Sequence, residues 1–135
     1  MNPSKACPPA AARDETRRCI LIVEDELLIR YMLSEGLRDE GYHVIEACNA
    51  DEALTILESA VPDLLISDVR MPGSLDGLAL MKVTRERLAT LPVIITSGHI
   101  SPSRAKAEGA SEFLAKPYSM ARVFEVVRGL LAEAK

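Results

Sequence analysis

The sequence predicts an α/β fold: a doubly wound, five-stranded parallel sheet with helices on both faces. Short apolar, β-branched runs recur five times, each bounded by polar or turn residues, and runs of that length read as buried strands. Stretches of helical period separate them. The order is strand then helix throughout, and strands that are apolar on both faces belong to parallel sheets covered on both sides. Five such units in about 115 residues are too few for an eight-unit barrel, which leaves an open sheet.

The first strand is Cys19-Ile20-Leu21-Ile22-Val23, which stops at acidic residues. Residues 26–40 follow as a helix, with Leu27, Leu28, Tyr31, Met32 and Leu37 toward one side and Gly41 as its C′ residue. His43 to Ala47 form the second strand, and residues 50–60 gather Ala50, Ala53, Leu54 and Leu57. Leu64 to Ser67 form the third strand, followed by a weaker stripe, Leu78, Met81 and Leu88, over residues 76–89. Val93 to Thr96 form the fourth. Ser101-Pro102 offers an N-cap and a first-turn proline for a short helix that ends before Gly109. Phe113 to Ala115 form the fifth strand. Residues 120–133 carry the clearest stripe, through Met120, Val123, Phe124, Val127, Leu130 and Leu131.

Composition narrows the function. The chain has 135 residues, enough for about one domain, and 48% of them are hydrophobic, enough for a core without staples. Residues 1–17, rich in Ala and Pro and lacking core periodicity, read as a flexible N-terminal tail; residues 18–135 read as the single domain. A formal charge of −4 argues against nucleic acid as a partner. The cysteines, Cys7, Cys19 and Cys48, are odd in number and form no CxxC pair, so reduced thiols and a cytoplasmic location are expected. No apolar run reaches the roughly 20 residues of a membrane span, and no signal peptide is expected.

In open parallel sheets, ligands bind beyond the carboxyl ends of the strands, where the strand order switches. Glu24 and Asp25 follow the first strand, and Asp68 follows the third. Thr96 and Ser97 close the fourth, and Lys116 then Pro117 follow the fifth. Each has a bland reading alone. An Asp after a strand is a common turn or cap residue, a Thr there is ordinary strand propensity, and Lys-Pro is often a turn. Together they bring three carboxylates to one rim. Two carboxylates about 4 Å apart repel by roughly 4 kcal/mol at an effective dielectric near 20. A hard divalent cation with oxygen ligands, Mg²⁺ above all, relieves that repulsion. A carboxylate beside such an ion is also a nucleophile toward phosphorus, with Thr96 and Lys116 placed to meet the phosphoryl oxygens.

These residues, in this order, resemble the receiver domain of two-component response regulators, a flavodoxin-like fold, over residues 19 to about 133. The resemblance rests on Glu24-Asp25, on Asp68-Val69-Arg70-Met71-Pro72 followed by Asp76-Gly77, on Thr96 with Ser97, on Gly109-Ala110 before Phe113, and on Lys116-Pro117. It implies that Asp68 is the phosphoacceptor. It implies that Glu24, Asp25, Asp68 and the backbone carbonyl of Arg70 hold Mg²⁺. Thr96 is then the switch hydroxyl, Lys116 the phosphate-pairing amine, Phe113 the rotating aromatic, and Pro117 a cis-proline. The implied partners are a histidine kinase or phosphotransfer protein and a downstream effector protein, with no membrane; a homodimer is left open.

The chain departs from the family pattern in several places. Glu24 stands where Asp is more usual, and Phe113 where a Tyr would add a hydroxyl. The loop between Met71-Pro72 and Asp76-Gly77 is one residue longer than the common spacing, so it should bulge beside the site. The stretch between Thr96 and Lys116 is about two residues shorter, at the expense of the fourth helix. His99, near the rim, reads either as a solvated loop residue or as a contact to the phosphoryl group.

The expected function is therefore a stand-alone response regulator, a phosphoacceptor switch that catalyses only its own phosphotransfer and dephosphorylation. An interaction module that ignores phosphate is the second reading, but none of the pocket residues is missing. A flavodoxin-like electron carrier would need a hydroxyl- and Gly-rich loop where this chain has Glu24-Asp25-Glu26.

Overall fold

The computed structural model describes residues 17–133; the expected tail, apart from Arg17, lies outside them. The elements are β1 (Cys19–Val23), α1 (Leu27–Asp39), β2 (His43–Ala47), α2 (Ala50–Leu57), β3 (Leu64–Asp68), α3 (Gly77–Arg87), β4 (Val93–Ser97), α4 (Pro102–Ala107), β5 (Glu112–Ala115) and α5 (Met120–Glu133). The strands form one parallel sheet in the order β2-β1-β3-β4-β5. The order reverses at β1, which pairs with β2 on one side and β3 on the other, so the crevice for a ligand opens above β1 and β3.

Side chains alternate between the two faces of each strand. Leu21, Val23, Leu65, Ile95 and Phe113 pack toward Ala53, Leu78, Met81 and Ala105, on the side of α2, α3 and α4. Ile20, Ile22, Ile66, Ile94 and Leu114 pack toward Leu33 and Leu37 of α1 and Val123 and Val127 of α5. Side-chain caps start four helices, α5 among them, where Ser119 accepts from the Arg122 amide. Asn49 accepts from the Glu52 amide, Asp76 from the Ala79 amide, and Ser101 from the Arg104 amide. Pro102 stands in the first turn of α4, as expected.

α1 departs from the expected stripe. Leu37 is buried, but Leu27, Leu28, Tyr31 and Met32 are 65%, 81%, 59% and 42% exposed. At about 100° per residue, Ile29, Leu33 and Leu37 follow a narrow seam that faces the core. The four exposed side chains occupy the opposite arc. α1 is therefore apolar on two faces, and only one is used in the fold. Cys19 is disulfide-bonded, which departs from the expectation of reduced thiols; Cys48 is free.

Candidate functional site

The carboxyl ends of β1 and β3 bring Glu24, Asp25 and Asp68 together, each with a ligand oxygen within 4.8 Å of the others. Glu24 and Asp68 are buried, and Asp25 is exposed. Backbone contacts fix the two buried groups. The Glu24 amide donates to the Ala47 carbonyl, continuing the β1–β2 ladder, and Arg30 donates to the Glu24 carbonyl at 2.8 Å. The Glu26 amide donates to Glu24 Oε2 at 3.1 Å. Beyond Asp68, the Val69 amide donates to the Thr96 carbonyl and the Gly77 amide to the Val69 carbonyl. Those bonds hold the β3 end between β4 and the start of α3.

Lys116 reaches the same cluster from the end of β5. Its Nζ lies 2.8 Å from Glu24 Oε1 and 3.2 Å from Asp68 Oδ2. Burial raises the pKa of Asp68 and of Glu24, and the opposing pull of Lys116 does not cancel it. Burial also works against the charge on Lys116, but the hydrogen bond to Glu24 and the nearby carboxylates outweigh it, so its pKa is raised. One ammonium thus serves two buried carboxylates, and a third stands beside them. The donor set is all hard oxygen, which fits a divalent cation of the Mg²⁺ type.

The end of β4 supplies two buried hydroxyls on opposite faces of the sheet. Thr96 is in register with Asp68 on β3 and Leu114 on β5, on the face that packs against α1 and α5. Ser97 shares the face of Ile95 and Phe113, toward α4, and its Oγ accepts from the His99 amide at 2.9 Å. Phe113 is buried beneath α4. A cavity of about 600 Å³ opens beside the cluster and meets it at Asp25; Val69, Arg70, Met71, Asp76, His99 and Arg104 also line it. The long loop after β3 forms one wall. It does not hang free: Ser74 Oγ donates to Asp51 Oδ1 on α2 at 3.2 Å. The β4–α4 turn and α4 form the other wall, and of α4 only Ala105 is buried.

The Lys116–Pro117 peptide is cis. Tyr118, which follows it, has a buried hydroxyl without a hydrogen-bond partner, and burial raises its pKa, with Glu24 and Asp68 adding to the effect. Neither Tyr118 nor Arg104 stood out in the sequence. Tyr118 directly follows the Lys-Pro signature, a signal that could have singled it out. Arg104 had none, because nothing local tells which way an α4 side chain faces.

Residues 20–128 match the family described as the response regulator receiver domain. The chain belongs to the response regulator receiver domain family. Among its relatives, the DNA-binding transcriptional regulator NtrC of Salmonella typhimurium is 38% identical over 107 residues, which are 77% of this chain and 23% of NtrC. The transcriptional regulatory protein PdtaR of Mycobacterium tuberculosis is 37% identical over 123 residues, 89% of this chain and 60% of PdtaR. The chain therefore spans a quarter to somewhat over half the length of these relatives. The receiver domain of NtrX from Brucella abortus superposes with a TM-score of 0.78 at 36% identity, covering 84% of this chain and 98% of that one. The receiver domain of the Francisella response regulator 1452 gives a TM-score of 0.82 at 26% identity, over 88% of this chain and all of the other. As a receiver domain, this chain is part of a signalling switch. No helix among the described residues is long and apolar enough to cross a membrane.

Proposed function

We propose that this receiver domain takes a phosphoryl group from a phosphohistidine onto Asp68 and signals through protein contacts that depend on it. The observation that carries this reading is the cluster itself: a buried carboxylate with two acidic neighbours and one ammonium, beside an open cavity that Asp25 lines. Asp68 Oδ attacks phosphorus in line and the P–N bond breaks, and the donor imidazole, already protonated on its other ring nitrogen, leaves as the neutral base. Lys116 pairs with a phosphoryl oxygen as it is released from Asp68, and its raised pKa keeps it charged for that task. Glu24, Asp25, Asp68 and the Arg70 carbonyl would hold Mg²⁺. When bound, Mg²⁺ supplies neutralisation of the phosphoryl charge. Later attack by water on the acyl phosphate returns the resting state.

The donor in this reading is a histidine kinase or phosphotransfer protein, in the cytoplasm. The exposed face of α1 supports a protein donor rather than a small molecule alone. Leu27, Leu28, Tyr31 and Met32 begin two residues after Asp25 and form a contiguous apolar patch at the lip of the site. An amphipathic helix of the donor would cover it while presenting its phosphohistidine to Asp68.

One geometric observation favours a variant of the switch mechanism. A hydroxyl that couples the phosphoryl group to Phe113 must share Phe113's face of the sheet. Ser97 does so, and Thr96 does not. The switch hydroxyl in this variant is Ser97, one residue beyond the Thr96 that the sequence suggested.

The phosphoacceptor reading is tested by intact-mass analysis after treatment with acetyl phosphate and Mg²⁺. One added phosphoryl group is expected on the wild type and none on Asp68→Asn. Equal labelling of the variant would remove Asp68 from the role.

A further inference from the structure

The arginines of this domain divide into two groups. Eight of those described donate to a backbone carbonyl or pair with a carboxylate, from Arg17 on the Gly41 carbonyl to Arg128 with Glu40. Among the described residues, Arg70 and Arg104 alone make neither contact, although the charge of Arg104 acts on Glu108 one turn along α4; both arginines line the cavity that Asp25 also lines, beside Asp68. They come from opposite walls. Arg70 stands on the loop that leaves β3, two residues past Asp68, and Arg104 stands on α4.

Phosphorylation of Asp68 exchanges one carboxylate charge for a phosphoryl group carrying between about 1.5 and 2, so a site that already holds three carboxylates gains up to about one further negative charge. Lys116 is shared between Glu24 and Asp68 before any phosphoryl arrives, so it is not a full counter-charge. A divalent cation offsets part of the excess. The cavity beside Asp68 holds two further cations without a direct ion pair, the guanidinia of Arg70 and Arg104, and a guanidinium matches a phosphoryl group with two parallel charge-assisted hydrogen bonds. The two differ in what they would move. Arg70 is tied into the backbone that runs on from Asp68. Arg104 sits on a six-residue helix anchored by one buried side chain, Ala105. A helix that short depends on its neighbours for stability, so its position is cheaply altered.

We propose that Arg104 is a phosphoryl-sensing residue: its guanidinium closes across the cavity onto the phosphoryl oxygens on Asp68 and carries α4 with it. This rests on Asp68 as the phosphoacceptor. It gives the shortened α4 segment a direct charged link to the phosphoryl group, separate from the hydroxyl at the end of β4. The resting cavity is the open state, and the phosphorylated state is the one in which the α4 wall has moved toward the β3 wall.

The test uses the whole chain with Mg²⁺ and beryllofluoride, a phosphoryl mimic for carboxylates, and compares the wild type with Arg104→Gln, Arg104→Lys, Arg122→Gln and Asp68→Asn. Binding of the mimic and amide hydrogen exchange over residues 98–109 are both read. The wild type is expected to gain protection over 98–109. Arg104→Gln is expected to bind the mimic about ten-fold more weakly and to gain none, the loss of hydrogen bonds to a charged group. Arg104→Lys, which keeps the charge and loses the fork, should fall between them. Arg122→Gln removes an exposed arginine on α5 and should match the wild type. Wild-type affinity and protection in Arg104→Gln would overturn the proposal, as would an equal loss in Arg122→Gln, which would point to overall charge. A wild type that ignores the mimic as completely as Asp68→Asn would overturn the phosphoacceptor reading, and this proposal with it.

Discussion

Gly77, the first residue of α3, stands so close to the carbonyl of Asp68 that a Cβ placed on it would lie 2.0 Å from that oxygen. No side chain fits there, and the obstacle is backbone rather than a side chain that could turn away. The Gly77 amide meanwhile donates to the Val69 carbonyl. The start of α3 is therefore pressed directly against the strand end that presents Asp68.

Gly77→Ala should separate α3 from β3. Overpacking of this kind costs about 3 kcal/mol, a fall on the order of 10 °C in Tm for a domain of this size. Thermal unfolding followed by circular dichroism measures it. A Tm within a degree or two of the wild type would mean that α3 can shift without strain.

The raised pKa of Asp68 gives a pH dependence with a definite sign. The folded state binds the Asp68 proton more tightly than the unfolded chain does. Its contribution is therefore favourable only at acid pH, and is lost as pH rises from the ordinary carboxylate range through the folded value. Glu24 acts in the same direction. In metal-free buffer, Asp68→Asn should raise the urea midpoint at pH 7, and the gain should vanish at acid pH. Mg²⁺ should shrink the same gain by stabilising the wild type. A gain that does not change with pH would show that charge burial is not its source.

Asp25 is the exposed member of the carboxylate cluster, so its replacement disturbs the fold least. Asp25→Asn should weaken Mg²⁺ binding by at least ten-fold, as loss of a charged ligand implies, while leaving Tm in chelator unchanged. Isothermal titration with Mg²⁺ decides it. Unaltered affinity would locate the ion elsewhere.

Thr96 and Ser97 can be separated directly. Ser97→Ala should abolish the exchange response around Phe113 to beryllofluoride, and Thr96→Ala should leave it in place. The opposite pattern would return the switch role to Thr96.

The patch on α1 is tested by Leu28→Asp. Leu28 is the most exposed of the four apolar side chains, so a charge there should not unfold the domain. Phosphotransfer from the cognate phosphohistidine protein should slow by ten-fold or more, while labelling by acetyl phosphate stays at the wild-type rate. Equal slowing of both would place the effect inside the pocket rather than at the donor surface.

Most of the sheet was legible because buried parallel strands are continuous apolar runs. β1 and β2 have the bounds their composition suggests, and β5 begins one residue earlier, at Glu112, whose polarity masked it. The acidic pair, Asp68 and Lys116 were legible because each terminates such a run. The orientation of α1 was not, since Leu27, Leu28, Tyr31 and Met32 look like core residues until Ile29, Leu33 and Leu37 are seen to occupy the sheet. The choice between Thr96 and Ser97 was also hidden. Neighbouring strand residues face opposite ways, and only the pairing of Ile95 with Phe113 tells which faces α4. That Arg70 and Arg104 make no direct ion pair or carbonyl contact could not be read either, because the partners of the other arginines are mostly distant in sequence.

The bond between Lys116 and Glu24 joins residues 92 positions apart, one following the first strand and the other the last. Between them, Asp68 comes from the middle of the chain. The pocket is thus a census of the whole fold: no local unfolding that frees β5 or β1 can leave it intact. Phosphoryl acceptance should track the fraction of fully folded molecules one for one during denaturation. By mass action, whatever occupies the pocket will in turn draw the unfolding equilibrium toward the native state.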